Sequence, residues 1–285
     1  MTQKIFLNDC LVDSSQAVIS HNDAGFLYGA GLFETMRASN GVVFALDDHL
    51  ERLFSSAGKL GVRLAGDKEF FADAVYQTLN ANELSDARLR LTVTSGPMNL
   101  DEDARPTTVI TATDFEPYPA DYYQKGVMVV LSPCRQNPAD GLCGHKTTNY
   151  FSRLLALSFA RNHQAAESLW FTVDGRLAEG SISNVFIVKD SVLYTPSLET
   201  GVLGGIARKT VCTLAEENSI KLEQRILTIK ELLAADEVFI TNVIMQVMPV
   251  IKIEAHDVKD AKPGAMTKKI TGLYTEFFNQ TVGKK

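Results

Sequence analysis

One stretch of eight residues, Ala87 to Thr94, alternates between apolar and polar side chains. A period of two predicts a β-strand with one face buried. Two amphipathic helices are predicted before it, one from Asp47 to near Gly61 and one from about Asp67 to Asn82. Asp47 is the expected N-cap of the first. Strands and helices that follow one another in blocks indicate an α+β fold.

Turn residues divide the rest of the chain. Asn40-Gly41 predicts a hairpin between Phe33–Arg37 and Val42–Ala45. Asp174-Gly175 predicts a turn that joins strands at 168–173 and 185–188. The stretch from Asp114 to Gly126, rich in proline and tyrosine, is typical of a connector. We therefore expect a small α/β domain at 1–115, a connector at 116–125 and a large domain at 126–285.

Bulk properties exclude several functions. The 285 residues carry a net charge of −6 with no strongly basic segment, which argues against a nucleic-acid partner. No apolar run approaches the roughly 20 residues that span a bilayer, and the first residues lack the apolar core of a signal peptide. The four cysteines form no CxxC or Cys/His pattern, so we expect no metal site and a reducing cytoplasmic location.

The segment Gly144–Tyr150 carries a candidate catalytic group. Lys146 lies in a short polar turn, and apolar residues at helical spacing from Tyr150 onward predict a buried helix directly after it. A lysine held at the start of such a helix can bind a carbonyl cofactor as a Schiff base. Taken alone, the segment is more typical of a surface lysine beside a helix cap.

Three further features accompany the lysine. Gly204-Gly205 precedes a helix that begins at Ile206, where free N–H groups favour a phosphate. Glu179 follows the 174–175 turn, and Tyr150 lies one helical turn beyond Lys146. Each feature alone has a simpler explanation, such as a tight turn or a solvated carboxylate. Together they indicate pyridoxal 5'-phosphate, which needs a lysine, a carboxylate and a phosphate cradle.

Arginines are the remaining candidates for binding an anionic group. Arg88 and Arg90 share one face of the predicted strand, and guanidinium groups there suit a substrate carboxylate. A solvent-facing strand explains them as well. Arg52 and His49 fall off the apolar stripe of the first helix, so their positions predict a solvated helix face.

The order and spacing of these features resemble the class IV aminotransferase family, whose fold is called fold type IV of the pyridoxal phosphate enzymes. The resemblance extends from Gly25–Gly29 to Met248–Val250. The segments that carry it are Phe33–Arg37, His49–Leu53, Lys146–Tyr150, Glu179–Gly180 with Ser183–Asn184, and Gly205–Arg208. It implies a two-domain α+β homodimer with the cofactor between the domains.

The resemblance also assigns residues to the cofactor. It implies that Lys146 binds pyridoxal phosphate covalently and moves protons on the substrate. Glu179 would pair with the pyridine nitrogen, Tyr150 would hydrogen-bond the ring oxygen, and Leu203 would pack on the ring.

The phosphate and the substrate have their own implied contacts. Arg52 and the backbone N–H groups of Ile206 and Ala207 would bind the phosphate, which conflicts with the solvated face expected for Arg52. The positions that match the family's substrate site are Tyr28, Thr35 and Arg90.

One segment departs from the family's aminotransferases. Where these have a loop of small, hydroxyl-bearing residues, this chain has Asn242 and Val243 within Thr241–Val250, which puts the phosphate-binding hydroxyl in doubt. That pattern, with Thr35, resembles the family's aminodeoxychorismate lyases.

The leading expectation is therefore a lyase that releases 4-aminobenzoate and pyruvate in folate biosynthesis. The alternative is a branched-chain or D-amino-acid aminotransferase with a 2-oxo acid acceptor. A second basic anchor after the strand is not evident, which weighs against the lyase. A non-catalytic pyridoxal phosphate carrier or a dimeric interaction protein is disfavoured, because Lys146, Glu179 and Tyr150 occur together.

Overall fold

A computed structural model describes residues 2–97 and 105–283 of the chain, which divide into two compact units. The first unit comprises the described residues up to Glu116, together with His145–Tyr150 and the end of the chain from Phe278. The second comprises Pro117–Gly144 and Phe151–Phe277. The domain boundaries predicted along the sequence do not indicate that His145–Tyr150, which follows the connector, folds with the first unit.

The first unit is built on a six-stranded antiparallel sheet with the order β2-β1-β6-β5-β3-β4. Its strands are β1 (Lys4–Leu7), β2 (Cys10–Asp13), β3 (Gly31–Ser39), β4 (Val42–Val43), β5 (Ala87–Thr94) and β6 (Thr107–Asp114). Its helices are α1 (Ala24–Tyr28), α2 (Leu46–Leu60) and α3 (Lys68–Ala81).

Apolar faces of α2 and α3 pack against this sheet, and the predicted alternation along β5 is confirmed. Leu89 and Leu91 are fully buried in the core, while Arg88 and Arg90 are exposed. The predicted 40–41 hairpin joins β3 to β4. The predicted N-cap of α2 is wrong: Ala45 holds that position in the left-handed region (φ 50°), and Asp47 lies in the first turn.

The second unit is built on a nine-stranded sheet with the order β12-β11-β10-β13-β14-β7-β8-β9, and β15 pairs with β14. Its strands are β7 (Val127–Gln136), β8 (Glu167–Thr172), β9 (Leu177–Gly180), β10 (Asn184–Lys189), β11 (Val192–Pro196), β12 (Leu222–Arg225), β13 (Glu237–Asn242), β14 (Gln246–Ile253) and β15 (His256–Asp257). Its helices are α4 (Ala120–Lys125), α5 (Phe151–Asn162), α6 (Ile206–Glu217), α7 (Ile229–Leu233) and α8 (Ala265–Val282), whose last residues belong to the first unit.

Two local predictions in the second unit need correction. The 174–175 turn joins β8 to β9, an additional strand, rather than to the strand that begins at Asn184. The helix after Lys146 begins at Phe151. It buries Leu157, but three other large apolar residues are exposed: Phe151, Leu154 and Leu155 are 70%, 53% and 50% exposed. Periodicity alone indicates an apolar face but not what covers it.

No helix in the described part of the chain is long and apolar enough to cross a membrane. All four cysteines are free thiols. The cytoplasmic location expected from the sequence stays a prediction.

Candidate functional site

Lys146 lies in a segment that pairs with β3 of the first unit. The Phe33 N–H donates to the carbonyl of Lys146 at 2.9 Å, and the Thr148 N–H donates to the carbonyl of Gly31 at 2.8 Å. The Thr148 hydroxyl also donates to the carbonyl of Gly29 at 2.7 Å. Backbone pairing to a strand therefore fixes the position of the lysine, whereas a free surface turn would leave it mobile.

The Phe33 ring gathers three of the predicted site residues. The Lys146 ammonium lies 4.4 Å from the ring centre, and the Arg90 guanidinium lies 3.9 Å from it. The Tyr150 ring meets it edge to face at 5.2 Å. Tyr150 precedes α5, so it does not lie one helical turn beyond Lys146 as the spacing predicted. The shared contact with Phe33, which the sequence did not single out, brings them together instead.

Arg90 lies at the exposed end of this group. Its Nε–H donates to the Thr92 hydroxyl at 3.1 Å. Although the residue as a whole is exposed, partial desolvation of its guanidinium and the neighbouring charge of Arg88 lower the pKa of Arg90, which nevertheless remains a cation at neutral pH. Thr35 lies directly opposite Arg90 on β3. The strand thus presents a cation that contacts the same Phe33 ring as the lysine.

A buried cluster of three charged or polar residues lies where α2 packs against β3. Arg52 binds Glu34 through both carboxylate oxygens, with Nε to Oε1 at 2.8 Å and Nη2 to Oε2 at 2.5 Å. His49 Nδ1 lies 2.7 Å from Glu34 Oε2. The side chains of His49, Glu34 and Arg52 are 0%, 1% and 14% exposed. The solvated face predicted for His49 and Arg52 is therefore wrong, because a carboxylate on the adjacent strand draws both inward.

The protonation states of this cluster follow from its geometry. Burial opposes ionisation of Glu34, but the charge of Arg52 and the hydrogen bonds from His49 and Arg52 outweigh it and lower the Glu34 pKa to about 2. Burial lowers the pKa of His49 despite the hydrogen bond to Glu34. A neutral His49 donates its Nδ1–H to the ionised Glu34, and Arg52 is held in one orientation.

Glu179 lies on β9 of the second unit and is only 5% exposed. Its Oε2 accepts from the Leu203 N–H at 3.0 Å and from Asn184 Nδ2 at 3.4 Å. Its Oε1 accepts from Arg153 Nη2 at 2.7 Å. The predicted residues Glu179 and Leu203 are thus neighbours. Arg153 was missed, because nothing in the local sequence of α5 marks one arginine as an internal ion-pair partner.

The first turn of α6 has the properties of an anion site. Gly205 is the N-cap, no side chain in the described part of the chain caps the helix, and its first turn contains no acidic residue. A Cβ at Gly205 would lie 2.0 Å from Asn184 Oδ1, so a side chain there would collide with the amide. The N–H groups of Ile206 and Ala207 open this twelve-residue helix. Uncapped N–H groups and the helix dipole suit a phosphate.

The remaining predicted positions take a less definite place. Tyr28 ends α1 and is 66% exposed, so its contact with substrate stays a prediction. The Asn242 side chain accepts from the N–H groups of Ile244 and Met245 at 2.9 and 2.8 Å, and donates to the carbonyl of Ile182 at 3.0 Å. Asn242 therefore shapes the turn between β13 and β14, where Val243 offers no hydroxyl.

Comparison with known sequences matches most of the chain to one protein family. The profile of the family described as amino-transferase class IV matches residues 31–253. A putative branched-chain-amino-acid aminotransferase of Methanocaldococcus jannaschii is 37% identical over 94% of this chain and 93% of its own. A D-alanine aminotransferase of Bacillus licheniformis is 32% identical over 98% of each chain. An aminodeoxychorismate lyase of Bacillus subtilis is 30% identical over 99% of this chain and 97% of its own.

Solved structures of branched-chain aminotransferases match nearly the whole fold of this chain. A branched-chain amino acid aminotransferase of Escherichia coli matches 100% of this chain and 97% of its own, with a TM-score of 0.93 and 27% identity. A branched-chain aminotransferase of Thermoproteus uzoniensis, solved with norvaline, matches 99% of this chain and 96% of its own, with a TM-score of 0.90 and 31% identity.

Proposed function

The chain belongs to the class IV aminotransferase family of pyridoxal phosphate enzymes, which have fold type IV, and we propose that it transfers amino groups from a branched-chain or D-amino acid to a 2-oxo acid. The arrangement of Lys146 and Arg90 over one Phe33 ring carries the proposal. In an α-amino acid the amine and the carboxylate stand on the same carbon. A cation for the carboxylate that contacts the same ring as the lysine suits that substrate class.

We propose that the cofactor is held by groups whose chemistry fits it. Lys146 would bind its aldehyde carbon, Glu179 its ring nitrogen and Tyr150 its ring oxygen. The uncapped start of α6, at Ile206 and Ala207, fits the phosphate, and Arg52 would add a cation whose orientation Glu34 maintains. Leu203, next to Glu179, would pack on the ring.

Bound pyridoxal phosphate withdraws electrons from the carbon that carries the substrate's amine. The protein's own residues supply the rest. Lys146 Nζ would accept and return the proton of that carbon, because the backbone pairing to β3 holds the lysine in place. Arg90, and with it Thr35 and Tyr28, would position the substrate.

A second candidate function is the aminodeoxychorismate lyase that the sequence favoured. Its support is the 30% identical lyase of Bacillus subtilis and the turn built on Asn242. The two aminotransferase relatives are more similar, at 37% and 32% identity, and favour an aminotransferase over the lyase. Arg90 suits a carboxylate of either substrate, so it does not separate the two functions.

The deciding experiment uses the purified protein loaded with pyridoxal phosphate. L-leucine, L-valine and D-alanine are supplied as donors, with 2-oxoglutarate or pyruvate as acceptor, and formation of the new amino acid is followed. Turnover of one donor class supports the proposal and identifies the stereochemistry. Release of 4-aminobenzoate from aminodeoxychorismate, without amino transfer from any of the donors, would contradict it.

We also propose that the protein is a homodimer. The first unit exposes Phe26 and Tyr28 on α1, and the second exposes Phe151, Leu154 and Leu155 on α5. Several large apolar side chains exposed on one helix are typical of protein interfaces. A monomeric mass by light scattering at micromolar concentration would refute this part of the proposal.

A further inference from the structure

Arg153 is held on several sides within the second unit. Its Nη2 donates to Glu179 Oε1 at 2.7 Å and to Gln136 Oε1 at 2.8 Å, and its Nη1 donates to the carbonyl of Gly180 at 3.0 Å. The guanidinium lies 4.5 Å from the centre of the Trp170 ring. The Arg153 side chain is 19% exposed. These contacts hold the guanidinium in one position beside the Glu179 carboxylate.

The partner amide is itself oriented. Gln136 Nε2 donates to the carbonyls of Gly201 and Thr200, at 2.5 and 3.2 Å. The amide oxygen is therefore the atom that Gln136 turns to the guanidinium. This arrangement fixes Arg153 against Glu179 Oε1.

The distribution of donors on the carboxylate has a geometric consequence. Each carboxylate oxygen accepts about two hydrogen bonds. Among the described residues, Oε2 already accepts two, from the Leu203 N–H and from Asn184, whereas Oε1 accepts one, from Arg153. A further donor therefore finds its place at Oε1, beside the guanidinium.

We propose that Arg153 is a positioning residue that holds a fixed positive charge against the Glu179 carboxylate, so that the proton shared between Glu179 and the cofactor stays on the ring nitrogen. The inference rests on the proposed role of Glu179. Glu179 is only 5% exposed, and Arg153 is the cation that pairs with it there. A proton on the carboxylate would leave the Arg153 charge without its counter-ion in a largely buried site, which is costly.

The test follows the ring nitrogen directly. Holoenzymes of the wild type, Arg153→Met, Arg153→Lys and Glu179→Gln are loaded with pyridoxal phosphate labelled with ¹⁵N in the ring, and the ¹⁵N chemical shift reports protonation. Arg161→Met, which removes an exposed arginine from the same helix, is the matched control.

We expect Arg153→Met to move the ¹⁵N signal from the protonated toward the unprotonated position. Arg153→Lys should restore it in large part, because the charge rather than the fork geometry controls the proton. The kcat of Arg153→Met should fall by about 10- to 100-fold, which is the size of the loss when a residue that orients a metal ligand is removed. Arg161→Met should match the wild type.

The outcomes distinguish a failure of the role inferred for Arg153 from a failure of the role proposed for Glu179. If Glu179→Gln moves the ring signal and Arg153→Met does not, Arg153 has a structural role only and the inference is overturned. If Glu179→Gln leaves the signal unchanged, the proposed role of Glu179 fails, and the inference fails with it. A loss of cofactor affinity in Arg153→Met with an unchanged signal also counts against the inference, and equilibrium titration of the apoprotein measures it.

Discussion

Replacing Glu34 by glutamine tests how much the buried cluster at α2 stabilises the fold. The pKa of Glu34 is about 2 in the folded protein against an ordinary value of 4.5. Since each pKa unit corresponds to about 1.4 kcal/mol, the ionised carboxylate stabilises the fold by about 3 kcal/mol. Glu34→Gln should lower the free energy of unfolding by about this amount at neutral pH.

The pH dependence of that loss identifies its cause. A lowered pKa means that the unfolded chain binds the proton first, so the stabilisation is complete above about pH 5 and disappears as the pH falls from 4.5 toward 2. The difference between wild type and Glu34→Gln should therefore shrink to about 1.5 kcal/mol at pH 3. Urea unfolding of both apoproteins, followed by circular dichroism between pH 3 and pH 7, measures it.

An exposed ion pair provides the control. Asp121 and Lys125 form a pair on α4 with side chains 61% and 73% exposed. Asp121→Asn should cost about 0.5 kcal/mol or less. A Glu34→Gln difference below about 1 kcal/mol, or one that stays constant from pH 7 to pH 3, would refute the reasoning.

Three further predictions concern the proposed activity and assembly. Lys146→Ala should abolish turnover and the cofactor's visible absorption band while leaving the thermal midpoint nearly unchanged, because the half-buried lysine is not part of the core; remaining turnover would show that another lysine reacts. Arg90→Gln should raise KM for the amino-acid donor by about 10- to 100-fold with a smaller change in kcat, since it removes a charged hydrogen-bond donor; an unchanged KM would exclude Arg90 as the carboxylate anchor. Replacing Phe151 and Leu154 together by serine should yield a monomer in light scattering if α5 lies in the dimer interface, and an intact dimer would place the interface elsewhere.

Much of the local structure is accessible from the sequence because it depends on near neighbours. The alternation in β5, the 40–41 hairpin and the beginning of α3 near Asp67 are such cases. The α2 cap failed because Ala45 takes a left-handed conformation that its side chain does not indicate. The exposure of Phe151, Leu154 and Leu155 on α5 was not predicted, because an apolar face can meet either a core or a partner.

The sequence by itself determined the α+β class, the family resemblance and the candidate lysine, because side-chain period and motif spacing are properties of the chain. Only the tertiary structure decided which charged groups become partners. Glu34 meets His49 and Arg52, and Glu179 meets Arg153 across 26 residues, because strand and helix packing bury these carboxylates beside the cations. The physical reason is that an ion pair acts over a few ångströms of space, whereas the sequence records only distance along the chain.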